Sequence, residues 1–412
     1  GFEPPGQQLM EVTELVPVGP GEPGPFCFTL QRNDYAGATW DDRALLASGP
    51  ALLTLKQEAR ALLISQGFDE DEIPPALQPL PLPSDYDEQV AGLIEQGWDA
   101  RGLQAHNVTG YGLKRANLIK AALYSLMPTG SHMYVPDSLW NSPIWGGFMV
   151  GAALRGCWVF PISPALANAP SSGVPQMSRA NELFTRFVVI QDSLQEAIEM
   201  AGGRFRVGVY DLDVGVGDVL GRLRILRQTV SDNPWLREVF PFDGRVYASL
   251  DSVEQSLERE DVEERYLRHG SGEHRPKLHL KAQMFLSPAV ASRMPQRPEW
   301  ARATGDYIRA KLLHVQGLTD NRVMQAMTKV EDEAVAIFEN WSTSIPPDDP
   351  AIAYLTVGSH NQDIRGKVMD GESLYAVSGS AAMTAYLDFA ALMGETTWIT
   401  SIEQLAELIP PH

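Results

Sequence analysis

From Arg115 to Leu212 the apolar residues switch repeatedly between helical and strand spacing, and this alternation is the strongest constraint on what the chain can fold into. RANLIKAALYSLM sets Leu118, Ile119, Ala122, Leu123 and Leu126 on one helical face, and SHMYV follows as a short strand ending at Pro136. WGGFMVGAALRG reads as a second helix closing at Gly156, and CWVFPI as the next strand. MSRANELFTRFVVIQDSLQEAIEMAGG has the spacing of a long amphipathic helix with a Gly-Gly stop, and RFRVGVYDL is the strand after it. Helices alternating with short β-rich runs predict an α/β layered architecture.

Around this segment the chain is less regular. Residues 1–25 are rich in Pro and Gly and predict an extended arm. Ala44 to Gln66 turns helical with a break at Gly49 and Pro50, and the Pro-rich run from Ile73 to Asp85 reads as a linker. The predicted division is an N-terminal piece, 1–85, and a main body, 86–412. With 44% hydrophobic residues in 412, the chain has the apolar surface for a real core. Its formal charge of −19 disfavours nucleic acid as a partner, because a polyanion is repelled by the average field. Cys27 and Cys157 could pair in an oxidising compartment, but a protein this large needs no staple, and two buried free thiols are the plainer reading. No stretch reaches the roughly 20 apolar residues of a membrane span. The nearest, GGFMVGAALRGCWVF, is interrupted by Arg155. The chain opens GFEPPGQQ without an initiator Met, and the expectation is a processed or truncated product with something upstream. The compartment is left open.

KLHLKAQMF carries the first chemistry. Lys277, His279, Lys281 and Gln283 alternate with Leu278, Leu280, Ala282 and Met284, so one continuous strand would raise all four polar side chains from one face. An imidazole and an ammonium two residues apart suit phosphoryl chemistry: the Lys neutralises non-bridging oxygens while the His attacks phosphorus or moves a proton. The plainer alternative is a half-exposed antiparallel strand with a polar outer face. AIAYLTVGSHNQDIRG adds a short apolar strand that breaks at Gly358 into Ser359, Asn361, Asp363 and Arg365. A Gly there permits a tight turn, presenting a hydroxyl and a carboxamide that can bind phosphate oxygens without adding charge. Here the alternative is an ordinary polar turn.

The joint pattern, H-x-K followed by G-S-x-N-x-D-x-R, resembles the signature of the phospholipase D superfamily. Asp370-Gly371-Glu372 stands where that family has an acidic element, and AVSGSAAMTAYLDFAALMG looks like its trailing strand and helix. The strand, helix, Arg155-Gly156, strand unit upstream also fits, so the resemblance covers residues 115–392. It implies a phospholipase D-like layered fold, a mixed β-sheet flanked by helices. It also implies a metal-independent phosphodiesterase or phosphatidyltransferase acting on a lipid phosphodiester through a phosphohistidine, with no cofactor. His279 would be the acid/base or nucleophile of one half-site, Lys281 the phosphate clamp, and Ser359 and Asn361 the phosphate ligands. Glu372 would orient a histidine, and Gln283 and Arg365 would contact substrate. A nuclease of the same superfamily is the alternative activity, and a catalytically degenerate binding or scaffold protein is the alternative class.

Two departures bear on activity. Where the motif has an Asp five residues after the Lys, this chain has Leu286. The family also works with two such motifs, and no second His here has a Lys two residues later. His106 is the best stand-in, although Lys114 lies too far along for the same strand and a capping or packing role is the plainer reading of this histidine. RNDYAGATWDDRALLASGP, with Trp40, Asp42, Gly49 and Pro50, resembles the tail of a first half. The missing motif is therefore expected upstream or from a homodimer partner. Trp140, Trp145, Phe148 and Met149 read as core, with peripheral contact to a lipid surface as the alternative. RLRILRQ, Arg222 to Gln228, reads as the solvated face of a helix, and Glu258 to Lys277 as a loop leading into the catalytic strand.

Overall fold

The computed structural model describes residues 27–35, 38–46, 66–77, 102–107, 115–140, 142–165, 192–214, 219–242, 276–296, 298–315, 353–358, 362, 372–378 and 380–408, with isolated helical positions at 59–64, 251 and 329–336. The strands are β1 (Cys27–Tyr35), β2 (Ala38–Leu46), β3 (Gly102–Asn107), β4 (His132–Pro136), β5 (Trp158–Pro164), β6 (Arg204–Phe205), β7 (Gly208–Tyr210), β8 (Pro276–Leu278), β9 (Gln283–Leu286), β10 (Ala353–Gly358), β11 (Glu372–Ser378) and β12 (Thr397–Trp398). The helices that cover them are α1 (Arg115–Leu126), α2 (Pro143–Leu154), α3 (Asp192–Met200), α4 (Val219–Asp232), α5 (Pro298–Val315) and α6 (Ser380–Gly394).

The main sheet has nine strands in the order β12-β7-β5-β4-β9-β10-β11-β3, with β6 beside β5. β4, β5 and β7 run parallel, whereas β9 is antiparallel to both β4 and β10, and β11 is antiparallel to both β10 and β3. The fold is thus mixed α/β, and β3, β4, β5, β7 and β10 all end at one edge. A smaller sheet has the order β1-β2-β8, with β2 and β8 parallel.

Both faces of the main sheet are covered, which explains why its central strands are buried along their length. Alternate residues divide between the faces. Tyr134, Phe160, Ile162, Met284 and Leu286 join a core closed by Leu223, Leu226 and Val230 of α4, Tyr307 and Ile308 of α5, and Tyr386 to Met393 of α6. Met133, Val135, Val159 and Phe285 point the other way, into a core closed by Tyr124 of α1, Trp145, Met149, Ala152 and Ala153 of α2, and Ile198 of α3. Trp140, Trp145 and Met149 are all at most 3% exposed, which fits the core reading of that stretch. Burying each such side chain stabilises the fold by about 1.5–3 kcal/mol.

Local signals account for the helix limits. Ser142 precedes α2 with Pro143 at its first turn. The helix closes through the Gly156 N–H to Ala153 O bond at 2.9 Å, with Gly156 at φ 89°. A side chain there would meet Ala201 O at 2.7 Å. α3 stops at the Gly202-Gly203 pair as the sequence predicts, though the described helix begins only at Asp192.

Three expectations change. RFRVGVYDL is not one strand: it divides into β6 and β7, both pairing with β5. Ala44 to Leu46 belong to β2, not to the start of a helix, because they pair with β1. RLRILRQ is only partly a solvated face. Arg222 is 4% exposed and holds Glu395 through two bonds, Nε to Oε1 at 2.9 Å and Nη2 to Oε2 at 2.8 Å. The arm, 1–25, and most of the linker and of the 258–277 segment lie outside the described residues.

Candidate active site at one edge of the sheet

KLHLKAQMF does not form one continuous strand. Pro276 to Leu278 pair with β2 in the small sheet, while Gln283 to Leu286 pair with β4 and β10 in the large one. The chain changes sheets across His279 to Ala282, and that demand breaks the ladder the alternation predicted. The polar residues consequently do not share an outer face in solvent. His279 is half-buried, Lys281 is 8% exposed, and Gln283 is 0% exposed.

The crossing nonetheless holds the imidazole and the ammonium together. Lys281 Nζ lies 2.8 Å from His279 Nε2 and donates to His279 O at 2.8 Å. A charged Lys281 can only donate, which makes Nε2 the acceptor in this contact. A cation beside the lone pair of an imidazole, at the end of a buried strand, is an arrangement able to receive a phosphate.

Register brings the other segments to this edge. Thr356 pairs with Gln283, so Gly358, two residues on, stands level with Lys281. Tyr134 pairs with Met284, which puts Asp137 at the same level on the other side. Gly358 pairs with Leu374, and Glu372 opens β11 two residues earlier, opposite Asn107. His106 pairs with Ser373 on the next strand. His279, Lys281, Gly358, Glu372, His106 and Asp137 therefore gather along one edge, at the carboxyl ends of β3, β4 and β10. In open α/β sheets that edge is where ligands bind. Ser359, Asn361 and Arg365 lie outside the described residues, as does the Glu372 side chain.

Gln362, just beyond Asn361, is described and is 0% exposed. Its N–H donates to Asp137 Oδ2 at 3.0 Å, its carbonyl accepts from the Ser142 N–H at 3.2 Å, and its Nε2 donates to Tyr124 OH at 3.3 Å. Burial, and then the charge of Asp137, push the Tyr124 phenol well above its usual range, so it stays neutral. Gln283 differs: neither its Oε1 nor its Nε2 has a partner among the described residues. Leu286, where the motif has its Asp, is 0% exposed and packs in the core with Tyr134 and Met284.

Sequence reasoning missed Asp137 and Gln362. The available signal was YVPD, a carboxylate directly after the proline that ends a strand. It also missed the buried His132, at the start of β4 and hence away from this edge. His132 stacks on Trp158 with ring centroids 4.6 Å apart, and its Nδ1 lies 3.2 Å from Tyr134 OH. Burial first, and then the nearby Arg204 charge, push its pKa down to about 3. Cys157 is a buried free thiol near Pro128 O, raised by burial. No helix among the described residues is long and apolar enough to cross a membrane.

No family model matches the chain, and no curated protein does. Among solved structures, a crystal structure of phosphatidylserine synthase from Haemophilus influenzae Rd KW20 is similar at a TM-score of 0.37 and 9% identity. The match covers 89% of this chain and 58% of that one, so this chain spans less than two thirds of that structure's length. At that score the likeness carries neither a fold assignment nor an activity across.

Proposed function

We propose that this chain is a phospholipase D-like phosphodiesterase or phosphatidyltransferase that acts on a lipid phosphodiester. The observation that supports the reading most directly is the 2.8 Å contact between Lys281 Nζ and His279 Nε2 at the sheet edge to which the G-S-x-N strand also leads. In the reaction one histidine attacks phosphorus, forming an N–P bond as the ester oxygen departs with a proton from the second histidine. Water or an alcohol then displaces the first histidine, and the proton returns. His279 is one of these two groups. Lys281, Ser359 and Asn361 bind the non-bridging oxygens, Gln283 and Arg365 add polar contacts, and Glu372 orients a histidine. The second histidine comes from a segment upstream or from a partner copy.

A second reading, a binding protein that keeps the fold without the chemistry, draws on Leu286, an apolar core residue where the motif has its Asp. One assay separates the two: hydrolysis of bis(p-nitrophenyl) phosphate in EDTA by the wild type and by His279→Ala, with the solution mass measured alongside. Activity confined to the wild type supports the enzyme. An inactive wild type, whether monomer or dimer, sinks the enzyme reading for this chain alone.

A further inference from the structure

We infer that the outer face of α1 and α2 docks on a phospholipid bilayer surface, an inference that rests on the proposed action on a lipid phosphodiester. PIWGGFMVGAAL, the sequence of α2, has no charged side chain, and its one hydrogen-bond donor is the buried Trp145 indole. A helix apolar all round belongs in a core or in lipid. Here one side reaches the core, through Trp145, Met149, Ala152 and Ala153. The opposite stripe, Ile144, Gly147, Gly151 and Leu154, has the spacing of a single helical face and turns outward, with Ile144 46% and Leu154 41% exposed. A Cβ on Gly147 or Gly151 would meet nothing within 4 Å among the described residues, so that side of the helix is open. α1 packs alongside, Tyr124 against Trp145 and Phe148, and adds Leu118 at 46% and Leu126 at 78%. Trp140, Trp145 and Met149 take no part, because they face inward.

The exposure is confined to one side of the main sheet. Among the described residues of its covering helices, every exposed large apolar side chain lies on α1, on α2 or at Met200, which ends α3; α4, α5 and α6 have none. The same stretch is almost free of acid. From Arg115 to Gly156 the sequence holds one acidic residue, Asp137, which is buried, in a chain of net charge −19. An apolar surface without exposed acid can enter a bilayer interface that the average charge of this chain would disfavour. With 12 residues, about 18 Å, α2 lies along a bilayer and does not cross it. Two such helices side by side offer about 400 Å², half of the roughly 800 Å² per partner that a stable protein–protein interface needs, which favours a bilayer over a second copy. Position fits the chemistry as well. α2 begins just after the carboxyl end of β4, the edge where His279 and Lys281 meet. With this face on the bilayer, that edge stands about one helix diameter, roughly 10–12 Å, from the interface.

The experiment follows co-sedimentation with phosphatidylcholine vesicles, hydrolysis of bis(p-nitrophenyl) phosphate in solution, and solution mass. It compares the wild type with Ile144→Glu/Leu154→Glu and with Arg224→Gln/Ser231→Glu, which makes the same change in charge at exposed positions of α4. The wild type should bind vesicles. The α2 pair should lower the partition coefficient at least about tenfold, and the α4 pair less than about twofold. Hydrolysis of the soluble diester should be equal in all three, because neither pair touches His279 or Lys281. Substitutions at exposed positions keep the fold, and an unchanged urea midpoint checks this. If the α2 pair lowers the midpoint, Leu118→Gln/Leu126→Gln on α1 takes its place, with a loss of about tenfold expected again. A wild type that does not bind vesicles, or an α2 pair that binds like the wild type, overturns the docking face. A dimer that the α2 pair dissolves, without vesicle binding, gives the face to a second copy and overturns it too. Vesicle binding lost in the α2 pair, with no diester hydrolysis by any of the proteins, refutes the phosphodiesterase reading and leaves the docking face standing.

Discussion

Replacing Gln283 with methionine should make the protein more stable while weakening its chemistry. Gln283 sits in the main sheet with 0% exposure, and among the described residues neither end of its carboxamide has a hydrogen-bond partner. A buried polar group left unpaired costs about 1–3 kcal/mol. Methionine has nearly the same length and volume and no polar atom to bury, and such volume-conserving exchanges cost under about 1.5 kcal/mol. The difference favours the variant by about 1 kcal/mol, which is about a fivefold change in the folding equilibrium. Urea unfolding followed by tryptophan fluorescence reads this directly: the midpoint should rise with an unchanged slope. On the proposed phosphodiester chemistry, hydrolysis should meanwhile fall at least about tenfold, because a polar residue kept at the expense of stability is one that function would use. A lower midpoint would refute the reasoning, since it would mean that a buried water already satisfies the amide. A higher midpoint with full activity would remove Gln283 from the site.

Three further outcomes follow from the same packing. Arg222→Met strands the Glu395 carboxylate, now 4% exposed, and should cost about 3–5 kcal/mol in urea unfolding. Arg222→Met with Glu395→Leu should recover most of that, and a double variant as unstable as the single would contradict the pairing. The unfolded chain takes up a proton on His132 near pH 6.5, whereas the folded one refuses it down to about 3. Stability is therefore complete above that upper value and falls on acidification by up to about 1.4 kcal/mol per pH unit. His132→Phe should flatten this slope between pH 6.5 and 4; an unchanged slope would show that other groups set it. Gly203→Ala places a Cβ 2.1 Å from Ala153 O and should cost about 1–3 kcal/mol; a thermal melt like that of the wild type would show that the α3 turn can yield.

The layered α/β plan and several element limits were legible because they are local. SHMYV became β4, CWVFPI β5, and the Gly at the end of WGGFMVGAALRG closes α2, since hydrophobic spacing and a left-handed glycine act within a few residues. The proximity of His279 and Lys281 was legible for the same reason: two residues apart, they meet at 2.8 Å even though the strand expected to present them is broken. That break was not legible. Strand pairing is a property of two segments, and the switch from β2 to β4 and β10 depends on partners at least 67 residues away in either direction.

By itself the sequence determined the classes of residue available, an imidazole with an ammonium, a G-S-x-N turn, an acidic residue before a strand, and the alternation that builds a covered sheet around them. Only the tertiary structure decided that His279, Lys281, Gly358 and Glu372 come to one edge, because β-sheet register is set by side chains packing on both faces at once. It alone decided that Arg222 turns inward to Glu395 rather than outward to water and that Asp137 reaches Gln362. Each is a contact between segments far apart in the chain, and its strength comes from the low-dielectric interior that packing creates.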